Sequence, residues 1–190
     1  MSTYTRQQPN VVNGINVDDV NSLIAAVGAD PAKRMTKWRV NSVWLGGTHS
    51  QARVKSYEFG GEEIARAFAI DVDEPNELGG GNAFANPQEH LLGALNACMI
   101  VGYAALCAVQ GIKIEKLEIA TEGDIDLRGF FALDPAVPPG YENLRYTVTI
   151  KGDGTKEQFE KIHEMVMATS PNFYNVSRAV PLKPSLVVEE

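Results

Sequence analysis

The sequence predicts an α+β fold, an antiparallel sheet with a long buried helix. Three observations carry it: period-two segments before residue 71, a long, small-residue helix from about Pro87 to Gln110, and strands and a helix after it. The expected order is helix, three strands, long helix, two strands, helix, strand. That order lacks the strand–helix alternation that builds a parallel sheet. At 190 residues the chain is sized for one core.

Val17, Val20, Ile24 and Val27 lie at near-helical spacing, and Gly28 and Pro31 end the segment, so a short amphipathic helix opens the chain. From Lys37 the period becomes two. Trp38, Val40 and Trp44 fall on one side of KWRVNSVWL, and Gly46-Gly47 and Gly60-Gly61 supply turns. Arg53 to Phe59 and Glu63 to Ile70 then read as strands, completing a meander. Asp71 to Asn86 mixes acids, Pro75 and Gly79-Gly80-Gly81, which is loop chemistry, and Pro87 is suited to the first position of a helix.

Gly111 ends the long helix, Ile114 to Asp126 reads as a strand, and Arg128 to Tyr141 with its three prolines is irregular. Glu142 to Lys151 alternates, with Leu144, Tyr146, Val148 and Ile150 on one face. Thr155 and Gln158 form a capping-box pattern before the helical stripe Phe159, Ile162 and Val166. Ser170-Pro171 closes that helix. The tail from Arg178 to Val188 is strand-like but carries Pro181 and Pro184, which places it at a sheet edge.

Leu91 to Val109 is an uncharged run of 19 residues, near the length that spans a bilayer. Its many small residues, Asn96, and the lack of flanking basic clusters favour a helix surrounded by protein. The net charge of -7 with scattered Lys and Arg excludes the footprint of a nucleic-acid binder. MSTYTRQQPN has no basic and apolar leader pattern, and with only two cysteines the expected compartment is the reducing cytoplasm.

Cys98 and Cys107 lie in the long helix. Nine residues apart, they point to opposite faces and are separated by about 13.5 Å along the axis, beyond disulfide reach. Cys107 reads as core. Cys98 shares its face with Leu91, Ala94, Leu95, Val101, Gly102 and Ala105, so it is either a small core hydrophobe or a nucleophile beside an apolar substrate. It lies too deep in the helix for the amino-terminal dipole to activate it. His49, His90 and His163 have no metal-ligand spacing, and His49 and His90 read as solvated surface, with His163 edging the later helix. The three glycines lack a phosphate-binding context, and no serine sits in a nucleophile elbow, so no metal or cofactor is expected.

The segment DEPNELGGGNAFANPQEHLLGALNACM, from Asp73 to Met99, resembles the OsmC and organic-hydroperoxide-resistance family. ATSPNFYNVSRAVPL, from Ala168 to Leu182, is similar to that family's late helix end, and WLGG at Trp44 to Gly47 adds a third match. The resemblance covers about residues 37–188, leaving residues 1–36 as an extension and 37–190 as an OsmC-like domain. It implies an intertwined homodimer with the long helices at its centre and the active sites at the subunit interface.

It also implies reduction of organic hydroperoxides, with Cys98 at the attacking position. The family's second cysteine precedes a proline, where this chain has Ser170-Pro171. The resemblance is therefore compatible with a one-cysteine cycle using an external thiol, and not with an internal disulfide. The alternative is a non-catalytic homodimer binding a small apolar ligand. The family's activating pair, an arginine held by a glutamate, maps to Arg53, with Arg39 and Arg66 as other choices, and to Glu89 in place of Gln88.

Overall fold

The computed structural model describes residues 10–189. The reading of the opening decapeptide, and part of that of the 1–36 extension, fall on residues 1–9 and so lie outside the described residues. The fold is mixed α and β with antiparallel sheets. Its elements are β1 (Val11–Val12), β2 (Ile15–Asn16), α1 (Val17–Ala29), β3 (Thr36–Trp38), β4 (Asn41–Gly46), β5 (His49–Phe59), β6 (Glu62–Val72), α2 (Pro87–Val109), β7 (Ile114–Glu122), α3 (Leu127–Phe130), β8 (Arg145–Gly152), α4 (Lys156–Thr169) and α5 (Pro171–Val176).

The chain divides into two compact units. The first runs up to Gly93 and includes Ala108–Lys113. Its main sheet is built on β5, which pairs antiparallel with β3, β4 and β6. The expected first strand is two pieces: β3 meets the end of β5 through Trp38 and Tyr57, whereas β4 meets its start through Asn41 and Arg53. From Trp38 to Asn41 is three steps, but from Tyr57 to Arg53 is four, so one residue of β5 has no counterpart and the ladder breaks. Both predicted turns form at positive φ, with Gly46 at 114°, Gly47 at 56°, Gly60 at 58° and Gly61 at 85°. Only glycine adopts such angles at little cost.

The loop before α2 is organised by Asp73. Its carboxylate accepts from the Thr48 hydroxyl at 2.6 Å and from the backbone N–H groups of Glu74, Gly81 and Ala83. Thr48 and those N–H groups hold its carboxyl below the usual carboxylate range. Gly80 passes so close to the Glu74 carbonyl that an added Cβ would lie 1.8 Å from that oxygen. The glycine run is thus a tight packing device at Gly80.

The second unit comprises Ala94–Cys107 and the residues from Ile114 on. Strands β7 and β8 form a hairpin sheet with Ile119 opposite Val148. One face of α2 supplies Leu95, Met99, Tyr103 and Cys107, and α4 supplies Ile162 and Val166; all are buried. The i, i+4 spacing puts the four α2 residues in one row. Gly102 admits α4, since a Cβ there would lie 3.3 Å from Val166 Cγ2. The Thr155–Gln158 capping box starts α4 as the pattern predicts.

Two further predicted features differ. Ser170-Pro171 ends α4 but at once begins α5, with Ser170 as its N-cap and Pro171 in its first turn. Proline suits that position because it has no N–H to satisfy. The tail is not an edge strand: residues 178–189 pair with no strand among the described residues. Pro181 and Pro184 remove two of the donors a ladder would need.

Candidate active site

Helix α2 places Cys98 one turn after Ala94, and both residues meet the α4–α5 junction. The Ser170 hydroxyl donates to Cys98 Sγ at 3.3 Å, and Asn172 Nδ2 donates to the Ala94 carbonyl at 2.8 Å. Ser170 is itself fixed: its N–H donates to the Val166 carbonyl at 2.8 Å, and its oxygen accepts from the Phe173 N–H at 3.4 Å. The Ser170 residue is 5% exposed, whereas Cys98 is half-buried. The wheel of α2 alone shows an apolar strip around the thiol. The polar neighbour comes from 72 residues further along the chain.

A second pair of contacts ties this stretch of α2 to the hairpin sheet. Asn96 Nδ2 donates to the Ile119 carbonyl at 3.2 Å, and the Thr121 hydroxyl donates to Asn96 Oδ1. Asn96 therefore fixes the rotation of the helix turn that carries Cys98. The Tyr103 hydroxyl bonds to His163 Nδ1. Burial pushes the Tyr103 phenol up to about 12, so it stays protonated near neutrality beside the imidazole. Tyr103, Tyr146, Phe159, His163 and Met167 line a groove of about 960 Å³, with Lys156, Glu160 and Glu164 also on its wall. His163 does more than edge its helix. The only signal for this cluster in sequence was an unassigned histidine on the face of α4 adjoining Phe159 and Ile162.

The other predicted site residues lie in the first unit, and Cys98 in the second. Arg53 stands on β5, where its Nε donates to Gln51 Oε1 at 2.9 Å. Gln51 in turn donates to Asp71, whose carboxyl is held low chiefly by the hydrogen bond to His49. His49 Nε2 lies 3.0 Å from Asp71, and its ring stacks on Phe84 with centroids 5.1 Å apart. The expected solvated turn histidine is instead held in a cross-strand network. His90 also departs from that expectation, since its Nε2 is buried without a partner among the described residues. Arg39 is bound to Glu58, and Arg66 lies over the rings of Phe68 and Tyr57.

Glu89 occupies the first turn of α2. Its Oε2 accepts from the Asn86 N–H at 2.7 Å, while the Asn86 side chain accepts from the Glu89 N–H at 2.9 Å. This reciprocal arrangement is a helix cap, with the carboxylate also favourably placed at the positive end of the helix dipole. Cys107 is fully buried, and burial pushes its thiol up. Both cysteines are free.

The profile of the OsmC-like protein family matches residues 79–185. The matched stretch includes most of the glycine loop, all of α2 and the Ser170 junction. YmaD, an uncharacterized protein of Bacillus subtilis (strain 168), is 27% identical over 119 residues, which cover 62% of this chain and 75% of YmaD. The crystal structure of an OsmC-like protein from Mycoplasma pneumoniae has a TM-score of 0.58 at 16% identity, covering 74% of this chain and 87% of its own. An OsmC-like protein of unknown function from Vibrio cholerae has a TM-score of 0.51 at 16% identity, covering 74% and 93%. These two likenesses concern the fold. The profile spans more than half of the sequence, and the chain belongs to the OsmC-like protein family.

Proposed function

We propose that this chain is a thiol-dependent peroxidase that reduces organic hydroperoxides through Cys98 in a one-cysteine cycle. The observation that carries the reading is the half-buried Cys98 sulfur with the Ser170 hydroxyl 3.3 Å away, inside the stretch matched by the family profile. The thiolate attacks the hydroperoxide, forming an S–O bond as the O–O bond breaks, and the alkoxide leaves with a proton as an alcohol. The sulfenic acid condenses with an external thiol, releasing water and forming a mixed disulfide. A second thiol then restores Cys98 and leaves as the disulfide of the reductant.

Arg53 is the proposed activating cation and Glu89 the carboxylate that holds it, and the cycle needs no metal or cofactor. Arg39 is engaged with Glu58 and Arg66 with aromatic rings, whereas Gln51 engages only Nε of Arg53. The terminal amino groups of Arg53 carry no hydrogen bond among the described residues, though its charge also acts on the Asp71 carboxyl. In the same proposal residues 37–190 are the functional domain and residues 1–36 an extension, and the protein works as a cytoplasmic homodimer. Two free cysteines fit a reducing compartment.

The support for a dimer is apolar surface. Helix α2 is long and apolar enough to span a membrane, yet only 28% of its most apolar window is buried within the chain. Val101 is 67% exposed and Trp44 75% exposed. A second copy covering these side chains would account for them without a bilayer. The test of activity is a brief pulse of cumene hydroperoxide in the presence of dimedone. An adduct on the Cys98 peptide and turnover with a thiol are expected; absence of both overturns the peroxidase reading.

A second reading is a non-catalytic homodimer that binds a small apolar ligand, and the groove of about 960 Å³ beside Tyr103 favours it. A Cys98→Ser variant that loses turnover while keeping its fold counts against that reading.

A further inference from the structure

We propose that Ser170 is a positioning residue for Cys98: its buried hydroxyl holds the sulfur in line and, after oxidation, holds the sulfenic acid for an external thiol. The proposal rests on the peroxidase reading above and deepens it. A serine at this place can be seen merely as a lost second thiol, but its surroundings point to more. The Phe173 N–H occupies one lone pair of the Ser170 oxygen, so the hydroxyl proton is left to point at Cys98 Sγ, 3.3 Å away.

Three further contacts make that donor rigid. The Ser170 N–H is anchored on Val166, Val166 packs at the Gly102 approach, and Asn172 pins α5 to α2 at Ala94, one turn before Cys98. At 5% exposure, Ser170 has little water to bond instead. A buried donor facing a sulfur does two things. It fixes the rotamer from which the sulfur attacks, and it bonds to the sulfenic acid, tempering attack on a second hydroperoxide that would give sulfinic acid and a second alcohol. Oxygen cannot exchange with sulfur as a thiol does, so the oxidised centre stays open to the outside reductant.

The test uses the full chain with Ser170→Ala, Ser170→Thr and Ser170→Cys, their folding compared by circular dichroism. With cumene hydroperoxide, Ser170→Ala is expected to form sulfenic acid about fivefold more slowly and to over-oxidise about fivefold faster, the scale of one hydrogen bond. Ser170→Thr, which keeps the hydroxyl, should restore both. A purely structural role would lower the melting temperature without moving the ratio of sulfenic to sulfinic product. Ser170→Cys, treated with diamide, is expected to lose two hydrogens as the introduced thiol forms a disulfide with Cys98, a reading independent of peroxide chemistry.

Wild-type-like rates and product ratio in Ser170→Ala overturn the proposal and leave the peroxidase reading standing. So does a Ser170→Cys protein whose thiols stay free. Failure of the wild type to consume hydroperoxide overturns the peroxidase reading itself and the catalytic role of Ser170 with it, even if the engineered disulfide forms.

Discussion

The two units differ in how much of an apolar core they enclose, although each also leaves large apolar side chains exposed, among them Val101, Phe130 and Leu133 of the second. In the second, α2, α4 and the β7–β8 hairpin enclose Met99, Tyr103, Ile162 and Val166 almost completely. In the first, the sheet built on β5 leaves Trp38, Trp44, Ile64, Phe68 and Ile70 exposed, and residues 62–70 of β6 are open on both faces. The chemistry of Cys98 and Ser170 lies in the unit with the enclosed core. The contrast teaches that one chain supplies an enclosed support for a thiol and, separately, an open apolar sheet, which the proposed second copy would cover.

The sharpest break of this contrast is at the thiol. Cys98→Ser is expected to reduce hydroperoxide consumption by at least about a hundredfold, since no other exposed thiol can substitute, while circular dichroism and melting stay near wild type. Next come paired truncations. Ile162→Ala in the enclosed core should cost about 2 to 5 kcal/mol in denaturant unfolding. Phe68→Ala in the open sheet should cost far less in a monomer but shift sedimentation from twice the 20.7 kDa chain mass towards the single chain. Equal costs at the two positions, with no change in association, would remove the distinction between the units.

Smaller effects sharpen it. Thr155→Ala removes the side-chain cap of α4 and should cost about 1 kcal/mol, read as a lower denaturation midpoint of the second unit. The Asp73 cradle predicts a pH effect confined to the first. Its carboxyl is lowered from 3.8 by the Thr48 hydroxyl and three backbone N–H groups. The folded state therefore binds the proton less readily than the unfolded chain. The resulting stability is present above pH 3.8 and is lost as pH falls through the lower folded value. Asp73→Asn should flatten that acid-side slope in hydrogen exchange of residues 73–83 and leave α4 unchanged.

The sequence made legible whatever depended on local chemistry. Pro87 starts α2, the Thr155–Gln158 box starts α4, and the glycine pairs make their turns, because each signal acts within a few residues. The break between β3 and β4 was invisible, since it arises from an extra residue in β5, a different strand. Helix α5 was hidden because a Ser-Pro pair can stop one helix and cap another. The site divides the same way. Cys98 was singled out through its motif, but its neighbour Ser170 entered only as a helix stop and a missing thiol, Asn96 only as a residue ill suited to a bilayer, and Asn172 and Thr121 carried no signal at all. Their partners lie between 23 and 78 residues away along the chain, where no periodicity reaches.

The complete burial of Cys107 has a practical consequence. Burial also raises its thiol, so a neutral alkylating reagent has no route to it until the packing around α2 opens. Reagent counting in native buffer should therefore register one sulfur per chain, and counting in guanidinium two. The lag between the first and second modification becomes a clock for the opening of the second unit. A sequence with one accessible and one sealed cysteine thus contains its own reporter of conformational breathing.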